Sequence, residues 1–304
     1  MSSLPTRYVV PEHINNERLD VIIADKTEQT TRSNIKNRIE RVLLNGKPAK
    51  LSKRASGGDI LEYSLSETFE SKITAEEIEL DIIYEDENVI VINKPAGMVV
   101  HPAAGNYSGT LAQGLKYILQ EEQTDFCEDD IRPGIVHRLD KDTSGIIIAA
   151  KNTKSLAFLS AQFKDRIASK TYLAIINGVP PEKKGLIKTL IGRDKYNRKK
   201  MTYKLQTGKH AVTEYKVLKR WEKNSFIALY PKTGRTHQLR VHMLSMNSPI
   251  TGDPIYSRDK TEYGLMLHAY KLRIRIPGDD SIREFRAPLP EKFKEVILDL
   301  EGSD

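Results

Sequence analysis

One segment of the chain carries more reactive side chains than a structural turn requires. Residues 134–152 read GIVHRLDKDTSGIIIAAKN, and their polar part ends where an apolar run begins at Gly145. A carboxylate such as Asp140, set among cations, can act as a nucleophile or help to hold a metal ion. Three chemistries could use this segment.

Two of the three fit the spacing poorly. A calcium loop that starts at Asp140 would end at position twelve on Lys151, where a bidentate Glu is required. An aspartyl phosphotransferase would use Asp140 and Asp142 with magnesium, but its apolar strand leads into the aspartates, whereas here the apolar run follows them. The third chemistry, a single Asp140 nucleophile acting on a polyanionic substrate, is favoured, and the other two remain as alternatives.

Several motifs resemble one known family. HRLDKDTSG, residues 137–145, is similar to the defining motif of the RluA/RluD-type pseudouridine synthases. Further matches follow in the family's order along nearly the whole chain. They are VINKPAGMVVHP (91–102), KTYLAIINGVP (170–180), PKTGRTHQLRVHM (231–243), GDPIY (252–256), LHAYKL (267–272) and FRAPLP (285–290).

The resemblance implies a cofactor-independent enzyme that isomerises uridine to pseudouridine in structured RNA. It places Asp140 on the catalytic aspartate and pairs Arg235 with it. Tyr172 falls on a ring that lies against the flipped uracil and helps to remove the proton from carbon 5. The accompanying substrate-binding positions are His137, Arg138, Lys170, Thr236 and Leu239.

The residue types suit this reaction, which moves uracil from nitrogen 1 to carbon 5 without redox change or added water. A guanidinium beside a carboxylate favours its ionised, nucleophilic form. A base within a stack must be flipped out to react, and Arg138 is expected near the vacated stack. On the residues alone, Tyr172 and Leu239 could equally be core positions, because each lies in an apolar run.

Charge is unevenly distributed along the chain, although the formal net charge of +7 over 304 residues is mild. Residues 31–54 and 188–210 each hold eight basic residues and one acidic residue. Such clusters neutralise RNA phosphates, and Tyr196 and Tyr203 could stack on bases. A solvated surface is the alternative. The expected RNA contacts are Arg32, Lys36, Arg38, Arg41, Lys47, Arg198, Lys199 and Lys200.

The pattern predicts two domains. Residues 13–72 resemble the RNA-binding module of small-subunit ribosomal protein four. Within them we expect a helix around Leu19, a second amphipathic helix from Thr31 to Leu43, a tight turn at Asn45-Gly46 and a strand over 60–63.

A catalytic domain over residues 80–300 follows a linker at 66–80. The resemblance and the apolar runs predict an α+β fold with a mixed, largely antiparallel central sheet. The expected elements are strands at 88–92, 145–149, 172–176 and 226–230 and helices around 156–163 and 239–246.

The remaining composition narrows the class of protein. The single cysteine, Cys127, cannot form an internal disulfide, which favours a reducing cytoplasm. No apolar stretch approaches the roughly 20 residues that span a bilayer. His237 and His242 are five apart, which is wrong for one helix face, so no zinc site is expected. The acidic residues 121–130 read as a solvated loop, and no metal or cofactor is expected.

Large-subunit ribosomal RNA is the expected substrate because of the appended RNA-binding module, with transfer RNA as the alternative. Nothing in the sequence requires more than a monomer. One position departs from the family: Gly264 stands where an arginine often precedes the LHA motif. The rival function is a non-enzymatic RNA-binding or assembly factor, against which the complete set of Asp140, Tyr172 and Arg235 argues.

Overall fold

The structure, a computed structural model, divides along the chain into two compact units, residues 1–72 and residues 73–304. The described residues are 5–27, 35, 39–65, 73–103, 105–121, 124, 126, 133–197, 199–259 and 261–303. Each unit has a hydrophobic core of its own. Among the described residues, no helix is both long and apolar enough to cross a bilayer.

Among its described residues, the first unit packs the helix Leu19–Lys26 on a small antiparallel sheet. Helix α1 spans Leu19–Lys26, and its buried Leu19, Ile22 and Ile23 join Leu61 of the sheet in the core. The sheet order is β1-β6-β3-β4, and β2 pairs separately with β5. The strands are β1 (Thr6–Val9), β2 (Glu17–Arg18), β3 (Ile39–Leu44), β4 (Lys47–Pro48), β5 (Arg54–Ala55) and β6 (Ile60–Leu65).

The turn and the final strand of this unit are confirmed, but the second helix is wrong over its last residues. Asn45 and Gly46 have φ of 52° and 73°, the left-handed pair that a tight β-hairpin requires. That turn pairs Leu44 with Lys47, so residues 39–44 form a strand against β6. Residues 28–34 and 36–38, which hold the start of the expected helix, lie outside the described residues.

The second unit is built on a ten-stranded sheet. Its order is β12-β11-β13-β14-β10-β15-β9-β8-β7, with β16 pairing on β15. All pairs are antiparallel except β15 with β9, so the predicted α+β class with a mixed, largely antiparallel sheet is confirmed. The strands are β7 (Ile82–Glu85), β8 (Val89–Lys94), β9 (Ser144–Ala150), β10 (Ser169–Asn177), β11 (Lys184–Arg193), β12 (Met201–Thr202), β13 (Lys209–Arg220), β14 (Asn224–Pro231), β15 (Leu267–Ile274) and β16 (Arg283–Arg286).

In the described part of this unit, four helices accompany the sheet: α2 (Leu111–Glu121), α3 (Thr153–Lys164), α4 (Gln238–Ser245) and α5 (Glu291–Ser303). The strands and helices expected in this unit are therefore confirmed. Strand β9 is buried along its whole length. Ile147 joins the core with α2 on one face, and Ile148 joins the core with α3 on the other. Burial of each such side chain contributes about 1.5–3 kcal/mol.

The segment that holds Asp140 leads directly into β9. Gly145 lies at the start of that strand with φ of +111°, and a Cβ there would overlap the carbonyl oxygen of Ala269 on β15. Only glycine allows this close parallel approach. The central strands β9, β15 and β10 thus fix the backbone on which the candidate site rests.

Candidate active site

Asp140 lies in a loop whose side chains alternate between solvent and core. Arg138 is exposed, Leu139 is 4% exposed, and the Asp140 side chain keeps 23% of its surface accessible. Leu139 packs in the same hydrophobic cluster as Tyr172 and Leu239. The buried leucine therefore anchors the loop and leaves the adjacent carboxylate in contact with water.

Lys94 fastens the other side of this loop. Its ammonium group, which is fully buried, donates hydrogen bonds to the carbonyl oxygens of Pro95 (2.7 Å), Met98 (2.9 Å) and Lys141 (3.0 Å). Burial lowers the pKa of Lys94 to about 8, against the opposing effect of the Asp142 and Asp140 charges. The three carbonyls offset the cost of the buried cation and hold the residue after Asp140 in place.

Arg240 provides the guanidinium beside Asp140. Its Nη1 lies 3.5 Å from Asp140 Oδ2. Its Nε and Nη2 each donate at 2.7 Å to the two carboxylate oxygens of Asp253, which is fully buried. Burial opposes the charge of Arg240, but the hydrogen bonds and charge of Asp253, with the charge of Asp140, outweigh it and raise the pKa of Arg240. Asp253 thus orients a cation that faces Asp140.

The structure does not bring Arg235 to Asp140, although the resemblance predicts that pairing. Arg235 lies before helix α4, and its Nε donates to the carbonyl oxygen of His210 at 3.0 Å. Arg240 lies on the helix at a position 3% exposed, between apolar neighbours. A cation inside an apolar helix face requires a carboxylate partner, and that signal in QLRVHM could have identified Arg240 from the sequence.

His237 is the third residue of the site, after Asp140 and Arg240. It has φ of 55° at the N-cap of α4, and its Nδ1 lies 2.8 Å from the hydroxyl of Tyr256. Its Nε2 lies 4.0 Å from Asp140 Oδ2. Burial lowers the pKa of His237, although the charge of Asp140 opposes that shift. The imidazole is therefore neutral at neutral pH.

Tyr172 is buried on β10 next to the site. The pairing of β10 with β15 shifts register between Thr171 and Tyr172, and such a bulge re-aims a strand's side chains. Burial, and then the charge of Asp140, raise the pKa of Tyr172. The phenol is therefore protonated next to the ionised carboxylate. Leu239 packs in the same cluster, and its expected place in the pocket wall stays a prediction.

His137 and Lys170 belong to a different group of contacts, around Phe163 of helix α3. The His137 ring stacks on Phe163 at 4.6 Å, and its Nε2 accepts a hydrogen bond from the backbone N–H of Ile148. Lys170 Nζ lies 4.8 Å from the same aromatic ring, and burial lowers its pKa to about 8. Both expected substrate-binding side chains are engaged in internal packing, whereas Thr236 is exposed.

The expected RNA contacts are only partly described. Arg41 and Lys47 are exposed on strands β3 and β4, Lys199 is exposed, and Lys200 is half-buried. Arg32, Lys36, Arg38 and Arg198 lie outside the described residues. Of the two tyrosines expected to stack on bases, Tyr196 is 98% exposed, while Tyr203 packs partly in a core with Val241.

Two further observations concern metal ligands and the glycines of the loop before β15. In the part of the chain that the structure describes, no group of three or more His, Cys, Asp or Glu side chains could hold a metal ion. Gly264, at the position where the family often has arginine, has φ of +66°. A Cβ on Gly252 would overlap the Gly264 carbonyl oxygen, so two glycines close this loop.

Comparison with known proteins shows the family to which the chain belongs. The family model described as RNA pseudouridylate synthase matches residues 88–245, a span that includes Asp140, Tyr172 and Arg240. A relative from Borreliella burgdorferi named ribosomal large subunit pseudouridine synthase D is 42% identical, over 95% of this chain and 91% of the relative. The chain belongs to the RNA pseudouridine synthase family.

Other relatives of this pseudouridine synthase agree. A protein of Chlorobaculum parvum named uncharacterized RNA pseudouridine synthase is 41% identical over 92% of this chain and 93% of its own. The solved structure of human RNA pseudouridylate synthase domain containing 4 shares 26% identity at a TM-score of 0.59 and covers 73% of this chain and 93% of its own. The expected family and enzyme class are confirmed: the pseudouridine synthase isomerises uridine in RNA.

Proposed function

We propose that this enzyme converts specific uridines of large-subunit ribosomal RNA to pseudouridine, with Asp140 as the nucleophile. The observation that carries the catalytic assignment is the partly accessible Asp140 carboxylate, 3.5 Å from an arginine that a second, buried carboxylate holds in place. The substrate class is supported by the names of relatives such as those from Borreliella burgdorferi and Neisseria meningitidis, which print the ribosomal large subunit.

The reaction exchanges one bond for another. The bond between nitrogen 1 and the anomeric carbon breaks, the uracil turns, and carbon 5 bonds to the same sugar carbon. Carbon 5 loses a proton and nitrogen 1 gains one, so atoms and electrons balance without a co-reactant. Arg240 partly offsets the charge of Asp140 and orients it, while Asp253 keeps Arg240 from moving during the reaction.

Tyr172 forms a wall of the proposed pocket and offers a hydroxyl proton rather than a phenolate. Its raised pKa follows from burial and from the charge of Asp140. The phenol gives its proton to nitrogen 1, and the phenolate oxygen that results accepts the proton that carbon 5 loses, so both protons are accounted for.

RNA binding is proposed to use exposed residues of both units. Arg138 is exposed one residue before the anchored Leu139, a suitable place to enter the stack that a flipped uridine leaves. Thr236 is exposed next to His237, and Lys199 supplies positive charge for phosphates. Arg41 and Lys47 would supply further phosphate contacts from the first unit. His137 and Lys170 are proposed to support the site through Phe163 instead of binding RNA.

Purified protein tests the substrate class. We expect pseudouridine to form in protein-free large-subunit ribosomal RNA and not in total transfer RNA from the same cells. Activity in the presence of a chelator separates this reaction from magnesium-dependent phosphotransfer, and salt-sensitive binding without any modified uridine would indicate an assembly factor. Pseudouridine in transfer RNA alone would overturn the proposed substrate. We also propose that the enzyme is cytoplasmic and monomeric. Light scattering of the pure enzyme tests whether it is a monomer.

A further inference from the structure

The backbone of His237 is held in an unfavourable conformation. Its φ of 55° and ψ of 18° lie in the left-handed region, which is uncommon for residues other than glycine. Such a residue persists when its surroundings fix it, and left-handed residues of this kind cluster at functional sites. Asn247, just beyond the other end of α4, has the same φ of 55° but is exposed. The two positions therefore offer a matched pair.

The hydrogen bonds of Tyr256 define the protonation of the His237 ring. The Tyr256 hydroxyl, on a residue only 8% exposed, accepts a hydrogen bond from the backbone N–H of Met201 at 2.8 Å. Its own proton then has His237 Nδ1, also at 2.8 Å, as acceptor. A hydroxyl has one proton to donate, and leaving it unused in a buried position is costly. Nδ1 is thus the acceptor, and the imidazole proton lies on Nε2.

That Nε2–H faces the carboxylate of Asp140. His237 and Arg240 both approach the same carboxylate oxygen. The nearest oxygen to His237 Nε2 is Oδ2, at 4.0 Å, and the nearest to Arg240 Nη1 is also Oδ2, at 3.5 Å. Both partners therefore approach one side of the carboxylate. Oδ1 is farther from each of them, so its lone pairs are less engaged.

The same tyrosine supports both partners of Oδ2. The Tyr256 ring lies 5.1 Å from the guanidinium carbon of Arg240 and meets the His237 ring edge to face at 5.6 Å. The backbone N–H of Tyr256 also donates to Asp253 Oδ1. Tyr256 thus connects the carboxylate that orients Arg240 with the ring that faces Asp140.

We propose that His237, locked in one tautomer by Tyr256, is a positioning residue that acts with Arg240 to hold Oδ2 of Asp140 and present Oδ1 as the attacking atom. This inference rests on the proposed role of Asp140 as nucleophile. The strained backbone of His237 then has a function, because the left-handed conformation places the ring between Tyr256 and Asp140. A misplacement of about 1 Å in such a group can cost about 100-fold in rate.

The test compares substitutions that separate the ring from the backbone. His237→Gly relieves the left-handed strain but removes the imidazole Nε2–H. Asn247→Gly relieves the same backbone strain at the far end of α4. His237→Gln keeps a donor at a similar distance from the backbone. We expect the single-turnover rate on ribosomal RNA to fall about 100-fold in His237→Gly and to recover part of that loss in His237→Gln. RNA affinity should stay unchanged, and Asn247→Gly should react at the wild-type rate.

Tyr256→Phe tests whether the hydrogen bond from the Tyr256 hydroxyl fixes the tautomer of His237. We expect a smaller loss of rate than in His237→Gly, and little further loss when Tyr256→Phe is added to His237→Gly, because the two residues act as one unit. Each variant's melting temperature is measured alongside, so that a folding defect is recognised separately.

Three outcomes would overturn the inference: a folded His237→Gly enzyme with the wild-type rate, equal losses in His237→Gly and Asn247→Gly, or fully additive effects of Tyr256→Phe and His237→Gly. Inactivity of the wild-type enzyme on ribosomal RNA would instead contradict the proposed substrate. If Asp140→Asn kept its activity, the nucleophile assignment would fail, and this inference would fail with it.

Discussion

Two carboxylates face the guanidinium of Arg240, and their surroundings differ. Asp253 is fully buried and accepts hydrogen bonds from Arg240 on both oxygens, with two backbone N–H groups, those of Ile255 and Tyr256, on Oδ1. Asp140 keeps 23% of its side chain accessible and meets Arg240 only at 3.5 Å. The saturated carboxylate stabilises the site, whereas the less engaged one retains lone pairs for chemistry.

The difference follows from where each residue lies. Asp253 lies in a loop whose own backbone N–H groups turn back to its side chain, so the loop and the carboxylate stabilise each other. Asp140 lies in a loop that is fastened by its neighbours, Leu139 in the core and the Lys141 carbonyl on Lys94. A side chain positioned through its neighbours can stay available to a substrate.

Removal of the Asp140 charge should give the largest effect on activity. We expect Asp140→Asn to lower turnover by at least about 10⁴-fold, the scale seen when a nucleophile is removed, while RNA affinity is unchanged. Asp142→Asn, in the same loop, is the control and should stay active. A quantitative assay of pseudouridine in reacted RNA measures both, and equal losses would indicate chemistry that requires the two aspartates together.

Removal of the Asp253 charge should mainly affect stability. Asp253→Asn leaves the buried Arg240 without its charged partner, and a broken buried pair costs about 3–5 kcal/mol. Asp140→Asn should cost less than about 1 kcal/mol, because Arg240 keeps Asp253. Urea unfolding monitored by the fluorescence of Trp221, the only tryptophan, reports on the second unit. Equal unfolding free energies for the two variants would contradict the contrast between the carboxylates.

The two arginines of the 231–243 motif should differ in a matched substitution. Arg240→Lys loses the fork that binds Asp253 and faces Asp140, so we expect about a 100-fold lower turnover. Arg235→Lys loses one hydrogen bond to the His210 carbonyl, and turnover should change by less than about 5-fold. If Arg235→Lys were the more damaging change, the substrate-bound enzyme would pair Arg235 with Asp140 after all.

Low pH should lower the unfolding free energy through His242 of helix α4. This is the smallest of the expected effects. The His242 ring lies within hydrogen-bonding distance of the Thr189 and Thr213 hydroxyls, and burial lowers its pKa to about 4. Between pH 6.5 and 4 the unfolded chain binds a proton that the folded chain does not, so stability falls as pH falls. The loss should reach about 1 kcal/mol by pH 5.5.

The control for that acid effect uses the exposed His13 of the first unit. His242→Gln should flatten the fall in unfolding free energy between pH 6.5 and 5.5, whereas His13→Gln should leave it unchanged. Parallel pH profiles for wild type and His242→Gln would show that the ring of His242 is protonated as readily in the folded chain as in the unfolded one.

Local motifs are sufficient to predict the central strands and the family, because each depends on contiguous residues. The structure places Arg240 rather than Arg235 beside Asp140, because residues five apart in one motif lie on opposite sides of the start of helix α4. Asp253 and Tyr256 belong to the GDPIY motif but acquire their roles only when that loop reaches helix α4. Long-range packing of this kind leaves little trace in one sequence.

The error in the first unit has a related cause. Ile39 and Leu43 have the spacing of a helix face, yet both lie on β3. The turn at Asn45-Gly46 fixes a hairpin immediately afterwards, and pairing with β6 favours extended structure over local helix propensity. A tight-turn signal next to an ambiguous apolar run should therefore have favoured the strand.

The central claim is that Asp140 of this chain isomerises uridines in large-subunit ribosomal RNA. The most direct measurement maps pseudouridine in that RNA from cells that lack the protein, supplied with wild type, Asp140→Asn or Asp142→Asn. We predict that defined pseudouridines disappear in the deletion strain and return with wild type and Asp142→Asn but not with Asp140→Asn. An unchanged map in the deletion strain, or restoration by Asp140→Asn, would contradict the claim.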